Sequence, residues 1–155
     1  MSGERRQVTA PTAASTREVG RRLGALLEPG DAVALHGPLG AGKTEFVRGL
    51  VGGAGGDPGE VSSPTFALVA RYGGRVPVVH ADLFRLDEAS AAYDLGLEEI
   101  ADDAVLAVEW AERAPSLLPA DRIEVTIEGE GEGERRIGLV ARGPRSAARL
   151  AALAA

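Results

Sequence analysis

The sequence predicts an α/β fold: a single domain whose mixed, mainly parallel central sheet carries antiparallel hairpins and is flanked by helices. Three observations lead there. Residues 31–36, DAVALH, form a short and mostly apolar run of the kind buried on both faces of a parallel sheet, and a glycine-rich loop and a helical segment follow it directly. A second buried-strand run occupies residues 105–108. Finally, segments 66–72 and 75–82 flank Gly73-Gly74, and segments 123–127 and 137–141 flank the stretch GEGEGE, which reads as two hairpins. Strands that alternate with helices favour α/β, and the hairpins supply the antiparallel additions.

Length and composition bound the reading. The chain has 155 residues, about one domain, with 1–11 and 143–155 expected at its periphery. Hydrophobic residues make up 45% and charged residues 26%, an ordinary globular balance. No apolar run approaches the ~18–20 residues that span a bilayer, and the first dozen residues offer no apolar stretch for a signal peptide. Cysteine is absent, which excludes disulfides and thiolate chemistry. A cytoplasmic location fits these features. The formal net charge of −6 has the wrong sign for a chain that grips nucleic acid by counterion release, so a nucleic acid in its biology would be carried by another subunit. Of the 17 basic Lys and Arg residues, Lys43 is the sole lysine.

The elements follow in order. Residues 8–10 read as a short edge strand stopped by Pro11. Ser15-Thr16-Arg17-Glu18 has the form of a capping box, with Ser15 at the N-cap and Glu18 at N3. Val19, Leu23, Leu26 and Leu27 then keep helical spacing until Pro29-Gly30 ends the helix. After the strand at 31–36, residues 37–42 form a loop and 43–51 a helix, which stops in the glycine-rich run 52–56. Residues 88–101 look helical, with an interruption near Gly96. Residues 115–119 are a loop, GEGEGE is a solvated turn, and 146–154 form an Ala/Leu-rich terminal helix.

The segment His36-Gly-Pro-Leu-Gly-Ala-Gly-Lys-Thr44 contains G-x-x-x-x-G-K-T, the phosphate-binding P-loop pattern. Its glycines allow successive N–H groups to turn toward phosphate oxygens, and the helix that opens at Lys43 adds its positive end. Lys43 is a compact charge for the β- and γ-phosphates, and the Thr44 hydroxyl suits Mg²⁺. The chain's only lysine occupies the one position where an arginine fork would fit poorly. Pro38, Leu39, Gly40, Ala41, Gly42 and Glu45 complete the candidate nucleotide-binding segment. A glycine-rich structural turn is the bland alternative, but the motif both follows an apolar strand and opens a helix, as the mechanism requires.

Hydrolysis needs in addition an acid that organises the metal and a group that positions water. Asp82 follows the apolar run 76–81, and Glu109 follows 105–108. Both stand at the C-terminal ends of predicted strands, the side on which parallel α/β sheets bind ligands. Ser62-Ser63-Pro64-Thr65 is a stiff polar turn, read equally as a γ-phosphate switch or as a capped turn before a strand. Trp110 reads as core or interface filler, and His80 as a satisfied core histidine or as a group that orients Asp82. No N-K-x-D element for guanine is present, so the residues themselves leave ATP and GTP open.

Taken in order, GPLGAGKT, SSPTF, HADLFRL and VEWAE resemble the bacterial TsaE (YjeE) family over about residues 12–142. The resemblance implies a P-loop ATPase that uses ATP and Mg²⁺ in the synthesis of N6-threonylcarbamoyladenosine in tRNA. It implies that Lys43 and Thr44 bind phosphate and Mg²⁺ and that Glu109 is the second magnesium ligand. Asp82 becomes the acid of a Walker B-like His-x-Asp element, required for turnover and counted with the metal site. Ser63 and Thr65 become part of a switch-like turn, with Trp110 beside the nucleotide and Arg135 approaching it from the C-terminal hairpin. Phe84 stands where the family often has tyrosine. The implied partners are a TsaD-like transferase subunit and its paralogous TsaB-like scaffold, with tRNA met only through the complex and no membrane. The rival readings are a small-molecule kinase, which would need an acceptor pocket and a lid, and a binding module in which nucleotide occupancy matters and hydrolysis is incidental.

Overall fold

The computed structural model describes residues 4–38, 40–61, 69–83, 102–113, 116–129 and 133–153. Seven strands among them make one sheet: β1 (Arg5–Ala10), β2 (Ala32–His36), β3 (Val69–Tyr72), β4 (Val78–Asp82), β5 (Val105–Glu109), β6 (Ile123–Glu128) and β7 (Arg135–Ala141). Their spatial order is β1-β7-β6-β2-β5-β4-β3. The four central strands β6, β2, β5 and β4 are mutually parallel, while β3 closes one edge antiparallel and β7 and β1 close the other. This is the mixed, mainly parallel sheet that the pattern predicts, and both expected hairpins are there as β3–β4 and β6–β7.

The apolar runs become strands because both of their faces are covered. Every residue of β5 is buried, as are the first four of β2. One face, carrying Val33, Leu35, Val105, Ala107 and Val125, packs on Phe46 and Leu50 of α2 (Lys43–Gly53) and Leu23 of α1 (Ala13–Gly24). The other face, with Ala34, Val79, Leu106 and Val108, packs on Leu117 and Leu118. Burying each large apolar side chain stabilises the fold by roughly 1.5–3 kcal/mol, so these two layers fix the sheet between them.

α1 and α2 lie in contact along their backbones. A methyl on Gly20 would stand 2.2 Å from the Phe46 carbonyl oxygen and one on Gly24 2.1 Å from that of Leu50. From the other side, a methyl on Gly49 would stand 1.8 Å from the Arg17 carbonyl oxygen and one on Gly53 2.0 Å from that of Arg21. The contacts advance together along both helices, which therefore run parallel with four glycines at their seam.

Local signals were displaced where longer-range partners intervene. The cap of α1 is Thr12, not Ser15: the Thr12 hydroxyl accepts from the Ser15 amide at 3.1 Å, and Ser15 Oγ accepts from the Thr12 amide at 2.8 Å. A serine thus fills the N3 role expected of Glu18. Glu18 instead takes hydrogen bonds from Arg21 and, on the next position, Arg22, which hold its carboxyl down at about 2. α1 also ends at Gly24, before Pro29, because the Arg75 guanidinium takes up the carbonyls of Gly24, Ala25 and Leu27, each at 3.3 Å. Leu27 remains fully buried beyond the helix end. The terminal helix α3 (Pro144–Ala152) starts two residues early, at the proline, with the Asp121 carboxylate accepting from the Arg145 and Ser146 amides. The helix expected at 88–101, Phe84, and residues 66–68 and 130–132 of the two hairpins lie outside the described residues. Among the described residues no helix is long and apolar enough to cross a membrane.

Candidate functional site

The site is built where β2 turns into α2. Gly37 has φ +149°, and a methyl there would stand 2.6 Å from the Ile127 carbonyl oxygen, so only glycine lets the chain turn past β6. Gly42 is the N-cap of α2 with φ +111° and has no side chain to cap the helix. The first intrahelical bond runs from the Phe46 amide to the Gly42 carbonyl, at 3.0 Å. The amides of the three residues before Phe46 therefore have no intrahelical acceptor and face the helix entrance, together with the positive end of the helix dipole. That is the electrostatics of an anion site.

Lys43 is buried despite its charge. Its Nζ donates to the Gly37 carbonyl at 2.6 Å, lies 3.9 Å from Glu109 Oε1, and stands 4.7 Å from the centroid of the Trp110 ring. Trp110 is the one non-glycine residue with positive φ, +60°, among the described residues. Strained backbone of this kind persists only where its surroundings over-determine it. The indole does pack on the second apolar cluster, as a core residue would, but its ring also flanks the lysine ammonium.

The two acids end adjacent parallel strands in register: Asp82 on β4 pairs with Glu109 on β5. Gly40, Gly42, Lys43, Thr44, Glu45, Asp82 and Glu109 line one cleft of about 230 Å³. Hard oxygen donors thus line the same cleft as the lysine. Among the described residues no three His, Cys, Asp or Glu side chains could hold an ion by themselves. Hydroxyl and carboxylate oxygens suit magnesium, and Thr44, Asp82 and Glu109 are the residues of this cleft that could hold it. Glu45, a carboxylate at an anion site, is engaged by Arg17 at 3.1 Å and Arg48 at 2.6 Å.

His80 is fully buried, and its Nε2 meets Glu109 Oε2 at 2.6 Å.

A second cleft of about 270 Å³ adjoins the first across Gly40, Gly42 and Glu45. Pro11, Thr12, Ala13 and Thr16 from the start of α1, Ala41, and Gly133 and Arg135 from the β6–β7 hairpin complete its lining. Arg135 does reach the loop: its Nε donates to the Ala41 carbonyl at 2.8 Å and one terminal nitrogen to that of Gly40 at 3.3 Å. The contribution of α1 was not readable from the sequence, because residues 11–16 carry no nucleotide-binding motif and reach the loop through the α1–α2 packing. Behind the loop, His36 at the end of β2 and Arg122 both hydrogen-bond Glu124. Burial alone would raise the Glu124 carboxyl, but these two partners outweigh it and hold the group below the ordinary carboxylate range. Leu39, Ser63 and Thr65 lie outside the described residues.

The comparisons agree with one another. A family model described as threonylcarbamoyl adenosine biosynthesis protein TsaE matches residues 10–137. The tRNA threonylcarbamoyladenosine biosynthesis protein TsaE of Treponema pallidum (strain Nichols) is 39% identical over 127 residues, covering 81% of this chain and 93% of that protein. Its namesake from Bacillus subtilis (strain 168) is 38% identical over 132 residues, covering 84% and 82%. The one from Streptomyces coelicolor is 43% identical over 116 residues, covering 72% and 78%. Among solved structures, the crystal structure of Bacillus subtilis YdiB superimposes with a TM-score of 0.81 at 28% identity, over 99% of this chain and 96% of that one.

Proposed function

The chain belongs to the family of threonylcarbamoyl adenosine biosynthesis protein TsaE, and from that premise we propose that it is a Mg-dependent P-loop ATPase serving the N6-threonylcarbamoyl modification of adenosine 37 in tRNA. The observation that carries the reading is the convergence of Lys43, Thr44, Asp82 and Glu109 on one cleft at the start of α2. A glycine-rich structural turn has no use for two carboxylates beside a buried lysine.

In this reading the 270 Å³ cleft takes the nucleoside and the 230 Å³ cleft the terminal phosphates. Each alone is smaller than the ~300–1,000 Å³ usual for ligand sites, whereas the two together fall within it. The amides at the start of α2 hold phosphate oxygens, and Lys43 leaves the Gly37 carbonyl for the β- and γ-phosphates. Thr44 and Glu109 are the ligands offered to magnesium, which when bound would neutralise charge on the phosphates in transfer. Asp82, one strand over, would orient the hydrolytic water or help to hold the metal. Arg135 holds the loop by its carbonyls and Trp110 walls the lysine. On the family premise Ser63 and Thr65 sense the γ-phosphate, and the whole chain acts as one P-loop unit. ATP rather than GTP rests on the family premise.

Hydrolysis by this subunit resets or licenses a transferase complex of a TsaD-like subunit and a TsaB-like scaffold, which alone meet the tRNA. The test is ATP and GTP hydrolysis by the purified chain, with and without the two partner proteins. Slow ATPase alone and a clear rise in the complex are expected. Asp82→Asn and Glu109→Gln should keep much of the nucleotide affinity and lose turnover by about tenfold or more. Normal turnover in both variants would overturn the metal-site assignment. Activity that ignored the partners and required a small acceptor would replace the licensing role with a kinase.

A further inference from the structure

We propose that His80 is the positioning residue for Glu109. Its Nε2–H holds Oε2 at 2.6 Å and so leaves Oε1 turned toward Lys43 and the phosphate cleft. The inference rests on the nucleotide–magnesium reading above and assigns a further residue to that site.

The sheet explains the contact. β4 and β5 are parallel, with His80 opposite Ala107 and Asp82 opposite Glu109. Side chains alternate along a strand, so His80, Asp82, Ala107 and Glu109 share one face. Ala107 carries only a methyl, which leaves the imidazole room to reach diagonally to the glutamate one pair further on. Ala70, opposite His80 on β3, is equally small. An ionised carboxylate only accepts hydrogen bonds, so Nε2 is the nitrogen that carries the proton.

The other ring nitrogen argues against a merely structural histidine. Among the described residues, Nδ1 is buried without a hydrogen-bond partner. A buried polar atom left unpaired costs stability, and a leucine in this fully buried position would fill the core without that cost. The imidazole returns one thing for it, which is the bond to Glu109. A glutamate with two free oxygens could rotate between several orientations beside Lys43; with Oε2 tethered it presents one. Hydrogen bonds that fix a metal-binding carboxylate in this way are typically worth about 10–100-fold in metal affinity.

The experiment measures Mn²⁺ binding by electron paramagnetic resonance to the full chain saturated with a non-hydrolysable ATP analogue. Nucleotide affinity in EDTA and thermal unfolding are measured in parallel. In His80→Leu, Mn²⁺ affinity should fall by about tenfold or more, while metal-free nucleotide affinity stays at the wild-type level. His80→Gln, whose terminal amide offers a donor near the place of Nε2, should recover most of the loss. Should the leucine variant fail to fold, His80→Asn carries the same comparison, since its shorter amide remains polar but falls short of Glu109. Wild-type Mn²⁺ affinity in the leucine or asparagine variant would overturn the proposal and leave the nucleotide reading standing. A glutamine variant as weak as the leucine one would overturn it as well. If the wild-type complex itself takes up no Mn²⁺, the metal-site reading falls, and the role of His80 with it.

Discussion

Lys43 is held by partners that suit a small, round charge and would not suit a flat one. Its ammonium fits between the Gly37 carbonyl, the Glu109 carboxylate and the indole face of Trp110. Replacement by arginine keeps the charge but puts a planar fork into a buried, occupied space. Lys43→Arg should therefore behave like Lys43→Ala and lose nucleotide binding. A hydrogen bond to a charged group contributes about 1.5–3 kcal/mol, which corresponds to roughly a ten- to hundredfold rise in Kd by titration calorimetry. Arginine binding nucleotide as well as lysine would mean that charge alone suffices. At this scale the placement of the residues was legible: Lys43 and Thr44 open the helix after a glycine-rich loop, and Asp82 and Glu109 end their strands, all local features. The partner of His80 was not legible, because it depends on the register between β4 and β5 and on the small size of Ala107, neither of which a single strand reveals.

At the scale of elements, the pairing of α1 with α2 decides how firmly the P-loop helix is seated. The four seam glycines face backbone carbonyls, which cannot swing aside as a side chain would. Gly49→Ala should cost about 1–3 kcal/mol or more, as overpacking does. In a chain of this length that lowers Tm by several degrees, at about 2–4 °C per kcal/mol. Gly138→Ala, in β7, where the added methyl meets none of the described residues within 4 Å beyond its chain neighbours, should be neutral or slightly stabilising. Equal melting temperatures for the two variants would show that the helices separate freely. The strands and α2 were legible from periodicity and from the glycines that bound them. The start of α1 was not, because Thr12/Ser15 and Ser15/Glu18 compete as capping boxes three residues apart, and position beside the loop selects the first. Its end was hidden for a similar reason: Arg75, fifty residues away from Ala25, takes the carbonyls that further helical turns would use.

For the whole molecule, the net charge of −6 sets a limit on direct contact with tRNA. The chain alone should not retard tRNA in a gel at physiological salt, even at micromolar protein. A shift at that concentration, roughly the strength of strong non-specific binding, would contradict an indirect role. The α/β class and both hairpins were readable because each strand carries its own pattern. The strand order was not: β2 sits between β5 and β6, which lie far from it in sequence. The same distance governs when the site can exist. Arg135 holds the carbonyls of Ala41 and Gly40 across 94 and 95 residues. A ribosome that releases GPLGAGKT has yet to make the strands that flank β2 and the arginine that braces the loop, which follow about 60 to 90 residues later. Contacts this remote form late and slow the search for the native state. The protein thus completes its phosphate cradle only once residue 135 has been made, and a nascent chain cut short before it would carry the motif without the means to shape it.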